Sequence, residues 1–409
     1  MRSRLEKLIY NNTLFCALIF IPFVEPLYFT QLALLDTLFL YWKFAAFAVI
    51  IGAWILRGKT DKVYIGLLLF LLLDCIVTIV NKGNVSQMIT NAITLFAMAI
   101  LFGSAAENGS YKFVRVASTV FEILIFINFI TIMLFPNGLY NFTAVNHHYF
   151  LGSRNVMMRT IFPGVCFSVL RSKIEKNKLG IHTLIVMSIA GASLILVWSA
   201  TALAAYSLFC ICLLLYKAKG TPKWFTVRTC YLFAILVFLV IIVFQFQGLF
   251  SFMIVDALKK DLTFTGRTIL WSSAMLNIAK SPILGYGLEY LQTIGPKLYR
   301  FTAYDSCHNF FLDVLYQNGI VGFALISILF VSVEKKVDHH ISSRYRTIFI
   351  LFIFAYSVMI NFEPFINGDM RLFVSILFYL NYFNEAKLTE KSSDRHRRFL
   401  KLGNLKIER

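Results

Sequence analysis

Two polar stretches of this 409-residue chain set arginine, histidine and asparagine among glycines. The longer lies within residues 248–317 and runs from Thr265-Gly266-Arg267 through Gly285-Tyr286-Gly287 to His308-Asn309. If Thr265 caps a helix from Gly266 to Lys280, Arg267 falls in its first turn. A cation there opposes the helix dipole by some tenths of a kcal/mol up to ~1 kcal/mol. An anion between the helix N-terminus and the guanidinium relieves that opposition, and phosphate or pyrophosphate is the natural choice. The plainer alternative is a solvated Arg267 paired with Asp261. His308 carries an imidazole of ordinary pKa ~6.5, able to take a proton from a sugar hydroxyl. The shorter stretch, from Pro136 to Arg159, holds His147-His148, Gly152, Arg154 and Asn155. Arg154 and Arg159 beside a Gly-x-Arg-Asn turn suit a phosphate clamp; otherwise they are interfacial anchors.

Other chemistries find less support. Adjacent histidines rarely converge on one ion, no CxxC or HExxH occurs, and Asp305 and His308 lack a third ligand of evident geometry, so neither metal nor cofactor is expected. Asp305, Ser306, Cys307 and His308 share one turn and form no hydrolase triad, and there is no GxSxG elbow. Of seven cysteines, six fall in apolar runs and Cys307 alone faces outward.

The elements that must position these residues are set by composition. With 58% hydrophobic residues, 15% charged residues and mean hydropathy +0.72, a soluble fold is excluded. Unbroken apolar runs long enough for a ~30 Å core recur throughout and argue against a β-barrel. The expected fold is an all-α polytopic membrane protein with about 12 spans and a large late extracytoplasmic helical loop. Twenty-eight of the 39 lysines and arginines fall in alternate connections or the termini. The positive-inside rule then puts both termini in the cytoplasm and residues 248–317 outside. Net charge +18 is thus a topology signal, and nucleic acid is not an expected partner. The domain reading is a membrane bundle over 1–247, an extracytoplasmic catalytic loop over 248–317, C-terminal spans over 318–384, and a basic cytoplasmic tail over 385–409.

Several local expectations follow. Glu25, Lys43, Asp74 and Glu122 fall within spans, where an ionised side chain costs ~2.5–3.5 kcal/mol at the centre. Interhelical pairing, for instance Lys43 with Asp74 or Glu25, is the plain reading and a proton relay the functional one. Trp198-Ser199-Ala200-Thr201 joins two runs as a tight or re-entrant hairpin. The connection after the eleventh run, near residue 361, shows no reaction-carrying pattern. Ile320 to Val333 is 14 residues, ~21 Å of helix and too short to span. That run must borrow Phe310 to Gln317, with Asn318-Gly319 at a bend, Ser306 as N-cap and His308-Asn309 at head-group depth.

Thr265-Gly266-Arg267 with Trp271, Pro282-Ile-Leu-Gly-Tyr-Gly287, His308-Asn309 and Asn318-Gly319-Ile320-Val321-Gly322 occur in order. Over these residues the chain resembles the O-antigen ligase and Wzy-type polysaccharide polymerase superfamily. The resemblance implies a GT-C-like, inverting and metal-independent transfer of undecaprenyl-diphosphate-linked oligosaccharide on the outer face of a bacterial cytoplasmic membrane. It implies Arg267 for the diphosphate and His308 for the acceptor hydroxyl, as catalytic residues. Arg154, Arg159, Asn309 and Gly266 are the further candidates for substrate and diphosphate binding. Membrane lipids, a flippase and a chain-length regulator are the implied partners. One departure stands out: many members carry Ser-Arg where this chain has Ser199-Ala200-Thr201, so Arg154 or Arg159 must replace that arginine or the contact differs. The resemblance suits a polymerase of repeat units, with a ligase as the enzyme alternative. A flippase or ion-coupled transporter predicts inverted repeats with broken helices at mid-membrane, and no convincing repeat is seen.

Overall fold

A backbone in hydrocarbon must satisfy its own hydrogen bonds, so apolar runs of this length form helices. The computed structural model describes residues 4–58, 60–143, 146–216, 220–246, 267–298, 306–340, 343–363 and 370–388. The chain begins with α1 (Arg4–Asn11) and α2 (Thr13–Phe20), then two 3-10 turns, Ile21–Val24 and Leu27–Gln31. Four long helices follow: α3 (Ala33–Arg57), α4 (Lys62–Val80), α5 (Val85–Glu107) and α6 (Tyr111–Leu134). A small antiparallel sheet comes next, formed by β1 (Tyr140–Thr143), β2 (Asn146–Tyr149) and β3 (Gly152–Ser153) in that order. Then come α7 (Met158–Lys176), α8 (Ile181–Leu196), α9 (Ala200–Leu215) and α10 (Val227–Val237), the last continued by a π turn over Phe238–Val243. The chain continues through α11 (Arg267–Ile278), α12 (Leu291–Leu298), α13 (Phe310–His340), α14 (Ser343–Met359) and α15 (Arg371–Asn381).

The protein is an all-α polytopic membrane protein. Among the described residues, α3, α4, α5, α6 and the Phe310–Val333 part of α13 are each long and apolar enough to cross a membrane. The first apolar run is not one straight helix, because α2 gives way at Phe20 to the 3-10 turns Ile21–Val24 and Leu27–Gln31. α1 meets the Thr13–Val24 segment at 92°, and Pro22 and Pro26 flank Glu25 at the end of that segment. α8, α9, α10 with its π turn, α14 and α15 are apolar but shorter. α7 is different again: Arg159, Arg171, Lys173 and Lys176 make it too charged to pass on apolarity, yet most of its side chains are buried against other helices. Protein, rather than lipid, surrounds it.

An aromatic cluster ties the bundle together. Phe20 of α2 packs edge-on against Phe113 and Phe121 of α6, and Phe167 of α7 meets Phe102 of α5 and Tyr379 of α15. Such pairs contribute ~0.5–1.5 kcal/mol each beyond the area they bury. The ionisable groups in the runs also find partners. Lys43 Nζ lies 2.5 Å from Glu25 Oε2. Glu122 accepts from Ser118 Oγ at 2.7 Å and sits 3.0 Å from His182 Nε2. Asp74 Oδ1 accepts from Asn318 Nδ2 at 2.8 Å, not from Lys43.

That last bond sits at a break in α13. Gly319 has φ 59° and ψ −162°, so the helix is interrupted where the length argument requires a bend. The backbone groups freed by the break are met by residues 282–287. Tyr286 N donates to Tyr316 O at 2.9 Å and Gly287 N to Gln317 O at 2.8 Å, while Ile320 N donates to Pro282 O at 2.9 Å. A Cβ at Gly319 would lie 2.2 Å from Ile283 O. The Pro282-to-Gly287 motif is therefore a strap laid across a broken helix. Thr78 of α4 holds its far end through Leu288 N at 2.9 Å.

Candidate active site

Five connections meet at one end of the bundle: the segment before α7, the α8–α9 turn, the start of α11, the start of α13 and the residues after α14. Arg267 is the first residue of α11, in the helical turn where a cation opposes the dipole. Its partner in this structure is a carboxylate. Arg267 Nη2 lies 3.1 Å from Glu363 Oε1, and Nη1 donates to Phe362 O. Glu363 Oε1 also accepts from Asn155 Nδ2 at 2.8 Å, and Asn155 Oδ1 accepts from Ser199 Oγ at 2.9 Å. The Arg267 side chain is 17% exposed and that of Glu363 5%. Removing one partner of a pair this buried typically costs about 3–5 kcal/mol.

His308 stands just before α13, and its backbone is fixed on both sides. Cys307 N donates to Asp313 Oδ1 at 2.6 Å. Asn309 caps the helix, its Oδ1 accepting from Leu312 N at 2.8 Å and its Nδ2 donating to Asn361 O at 3.0 Å. Phe310 N donates to Ile360 O at 2.8 Å, which stitches the start of α13 to the end of α14. Between these anchors His308 adopts φ 49°, in the left-handed region. A non-glycine residue there carries strain of order 1–3 kcal/mol, of the kind that collects at functional sites.

Burial, followed by the positive charges of Arg267 and Arg159, pushes the His308 pKa down to about 3. Both arginines are therefore within electrostatic reach of the imidazole. The ring is neutral at physiological pH and can accept a proton, but two guanidinium charges weaken it as a base. A negative charge near the arginines would offset their part of the shift, though not the larger part that comes from burial.

The sequence-derived candidates separate on these grounds. Arg267 and the residues that follow His308 are held on one segment, 360–363, and Arg159 bears on His308 through its charge. Arg154 is exposed, and its neighbour Asn155 carries the link to Glu363. The N-cap of α13 is Asn309, not Ser306, because Asn309 precedes Phe310 directly and its oxygen reaches Leu312 N. Both ends of the Asn309 side chain are thus committed to backbone groups, and the residue is fully buried. Gly266, Thr265, Asp261 and Asp305 lie outside the described residues. Three participants were assigned no role at the site from the sequence: Glu363, Asn155 and Ser199. The connection after α14, read as carrying nothing, supplies the carboxylate. Its one signal in the sequence is an acidic residue, Glu363, in a short connection between two apolar runs. Among the described residues no three His, Cys, Asp or Glu side chains group as metal ligands.

Residues 183–327 match the family model described as O-Antigen ligase. This stretch is of the O-antigen ligase family. It contains Ser199, Arg267, His308 and the broken part of α13, whereas Asn155, Arg159 and Glu363 lie outside it. The chain is also 25% identical over 146 residues to the exopolysaccharide production protein ExoQ of Rhizobium meliloti (strain 1021). That match covers 34% of this chain and 34% of the relative's length. No solved structure matches the chain.

Proposed function

We propose that this protein is a polymerase that joins undecaprenyl-diphosphate-linked oligosaccharide repeat units into polysaccharide at the outer face of a bacterial cytoplasmic membrane. The observation that carries the reading is that Arg267 and the residues beside His308 are held on one segment, 360–363, with the charge of Arg159 also bearing on His308. These groups suit a diphosphate leaving group and an acceptor hydroxyl. The O-antigen ligase match over 183–327 and the likeness to an exopolysaccharide production protein support it.

The acceptor hydroxyl oxygen attacks the anomeric carbon of the donor sugar on the face opposite the diphosphate. As the new C–O bond forms, the bond to the diphosphate oxygen breaks and undecaprenyl diphosphate departs with the electron pair. The hydroxyl proton passes to His308 and the anomeric configuration inverts. Arg267 and Arg159 stabilise the charge growing on the leaving group, a role in which one donor is commonly worth ~2.7–4 kcal/mol. Bound diphosphate also raises the basicity of His308 at the moment it is needed. Holding both sugars in line supplies the rest. No divalent ion is required in this scheme, because arginines carry the charge that Mg²⁺ carries elsewhere. A flippase would deliver the donor, and a chain-length regulator is a further expected partner.

The family model's description favours a second reading, a ligase that moves glycan to a different acceptor. One experiment separates the two. Purified protein in liposomes is given the lipid-diphosphate oligosaccharide alone. A ladder of products spaced by one repeat unit supports the polymerase. A single transfer that appears only after a second acceptor is added supports the ligase, and no transfer under either condition rejects both.

A further inference from the structure

Glu363 stands at the middle of a hydrogen-bonded chain that crosses four connections of the bundle. Ser199 Oγ donates to Asn155 Oδ1, Asn155 Nδ2 donates to Glu363 Oε1, and Arg267 Nη2 meets the same carboxylate oxygen. The adjacent carbonyl of Phe362 takes Arg267 Nη1. A guanidinium is planar and offers five N–H donors in a fixed fork. Engaging a donor on each terminal nitrogen fixes the plane and leaves three donors for another anion. The Ser199 end of the chain sits in the α8–α9 turn, where the resemblance implies an arginine that this chain lacks.

We propose that Glu363 is a positioning residue, and that the Ser199–Asn155–Glu363 chain aims the remaining donors of Arg267 at the diphosphate of a lipid-linked donor. The proposal rests on the transferase reading above. Its rival is a carboxylate that merely occupies Arg267 until diphosphate displaces it. The two differ in sign. An anchor, once neutralised, lets the fork swing, so transition-state stabilisation falls, while the lost negative charge leaves donor binding as tight as before or tighter. A displaced competitor, once neutralised, improves turnover and binding together.

The test is steady-state kinetics of the purified full-length protein, using undecaprenyl-diphosphate-linked oligosaccharide extracted from the producing cells. Glu363→Gln is compared with wild type per mole of monodisperse protein. The expected result is a fall in kcat of tenfold or more with donor KM unchanged or lowered. Asn155→Ala and Ser199→Ala leave the carboxylate charge in place and are expected to lower kcat in the same direction, by at least threefold for Asn155→Ala. They carry the test if the Gln variant does not fold. Glu363→Asp, which keeps the charge, should recover part of the lost kcat. A purely structural role would change the yield of folded protein and leave both constants at wild-type values, which overturns the proposal. Higher kcat, or a raised KM with unchanged kcat, also overturns it. Wild-type protein that turns over no lipid-diphosphate donor removes the functional reading itself, and this inference with it.

Discussion

Arg267 and Glu363 lie 96 positions apart and share an ion pair of 3.1 Å, which joins the first turn of α11 to the segment after α14. The pair answers the charge problem that Arg267 poses: a cation at a helix N-terminus calls for an anion, and a buried carboxylate supplies it. It also brings Arg267 onto the segment that holds the start of α13 beside His308.

Arg267→Ala is expected to lower polymer formation roughly 100- to 1,000-fold, the scale of one lost charge-stabilising donor. Arg267→Lys is also expected to be poor, since an ammonium cannot keep Glu363 and Phe362 O while offering a fork to phosphate. For His308, asparagine is the informative replacement, because it tolerates the left-handed backbone that alanine strains. His308→Asn should elute as folded protein and lose about 10²- to 10⁴-fold in rate, the usual contribution of a general base. Polymer at wild-type levels from both Arg267→Ala and His308→Asn would remove these residues from the mechanism.

The pH dependence follows from the depressed His308 pKa of about 3. A base whose pKa is lowered stays in its active neutral form as pH falls, until the pH nears the lowered value. The acid limb of kcat/KM, which reports the free enzyme, is therefore expected well below pH 6.5 wherever it tracks His308. Bound diphosphate offsets the two arginines, so the acid limb of kcat should lie at higher pH than that of kcat/KM. Arg159→Gln removes one of the two positive charges and should move the kcat/KM limb upward. A limb that stays in place in that variant contradicts the electrostatic coupling.

The strap across α13 makes a stability prediction independent of activity. Gly319 combines φ 59° and ψ −162° with a neighbouring carbonyl 2.2 Å from where a Cβ would sit. Gly319→Ala is expected to cost at least ~1–3 kcal/mol in backbone strain alone and to lower the thermal midpoint in detergent by several degrees. Gly66 of α4 has nothing within 4 Å of a built Cβ, so Gly66→Ala serves as the control. Its expected change is neutral or a gain of up to ~1 kcal/mol in helix propensity. Equal midpoints for the two variants would mean that the break is not fixed by the strap.

Orientation is tested by reporter fusions. With 28 of 39 basic residues in alternate connections or the termini, fusions after Lys219 and Lys336 should report the cytoplasm and one near Lys297 the exterior. An external signal at Lys336 would place Arg267 and His308 on the wrong face for an exported donor.

Chelation addresses the charge on the leaving group. Transfer by purified protein should proceed in excess EDTA and give a product of inverted anomeric configuration. Activity lost to chelator and restored by a divalent ion would end the arginine-only account, and Asp305, Asp313 and His148 would become the first ligands to test.

What the sequence by itself determined is whatever depends on one segment at a time. Apolar run length separated membrane helix from loop, because hydrocarbon admits no unsatisfied backbone. Basic residues in alternate connections supplied an expected orientation, and helix length against bilayer thickness located the break at Asn318-Gly319. Arg267 and His308 stood out because their local surroundings were unusual for a chain of this composition. The tertiary structure alone decided the partners. Asn155 and Ser199 fall in turns that the sequence marks, but nothing within a few residues of them or of Glu363 says which groups they meet. Their meaning comes from contacts spanning 44, 96 and 208 positions. The choice of Asn318 over Lys43 for Asp74, and of Asn309 over Ser306 as the α13 cap, was likewise settled by packing. Periodicity and composition say which side of a helix is apolar; only the packed bundle says which helix end faces which, and a buried charge takes the partner that this geometry brings within 3 Å.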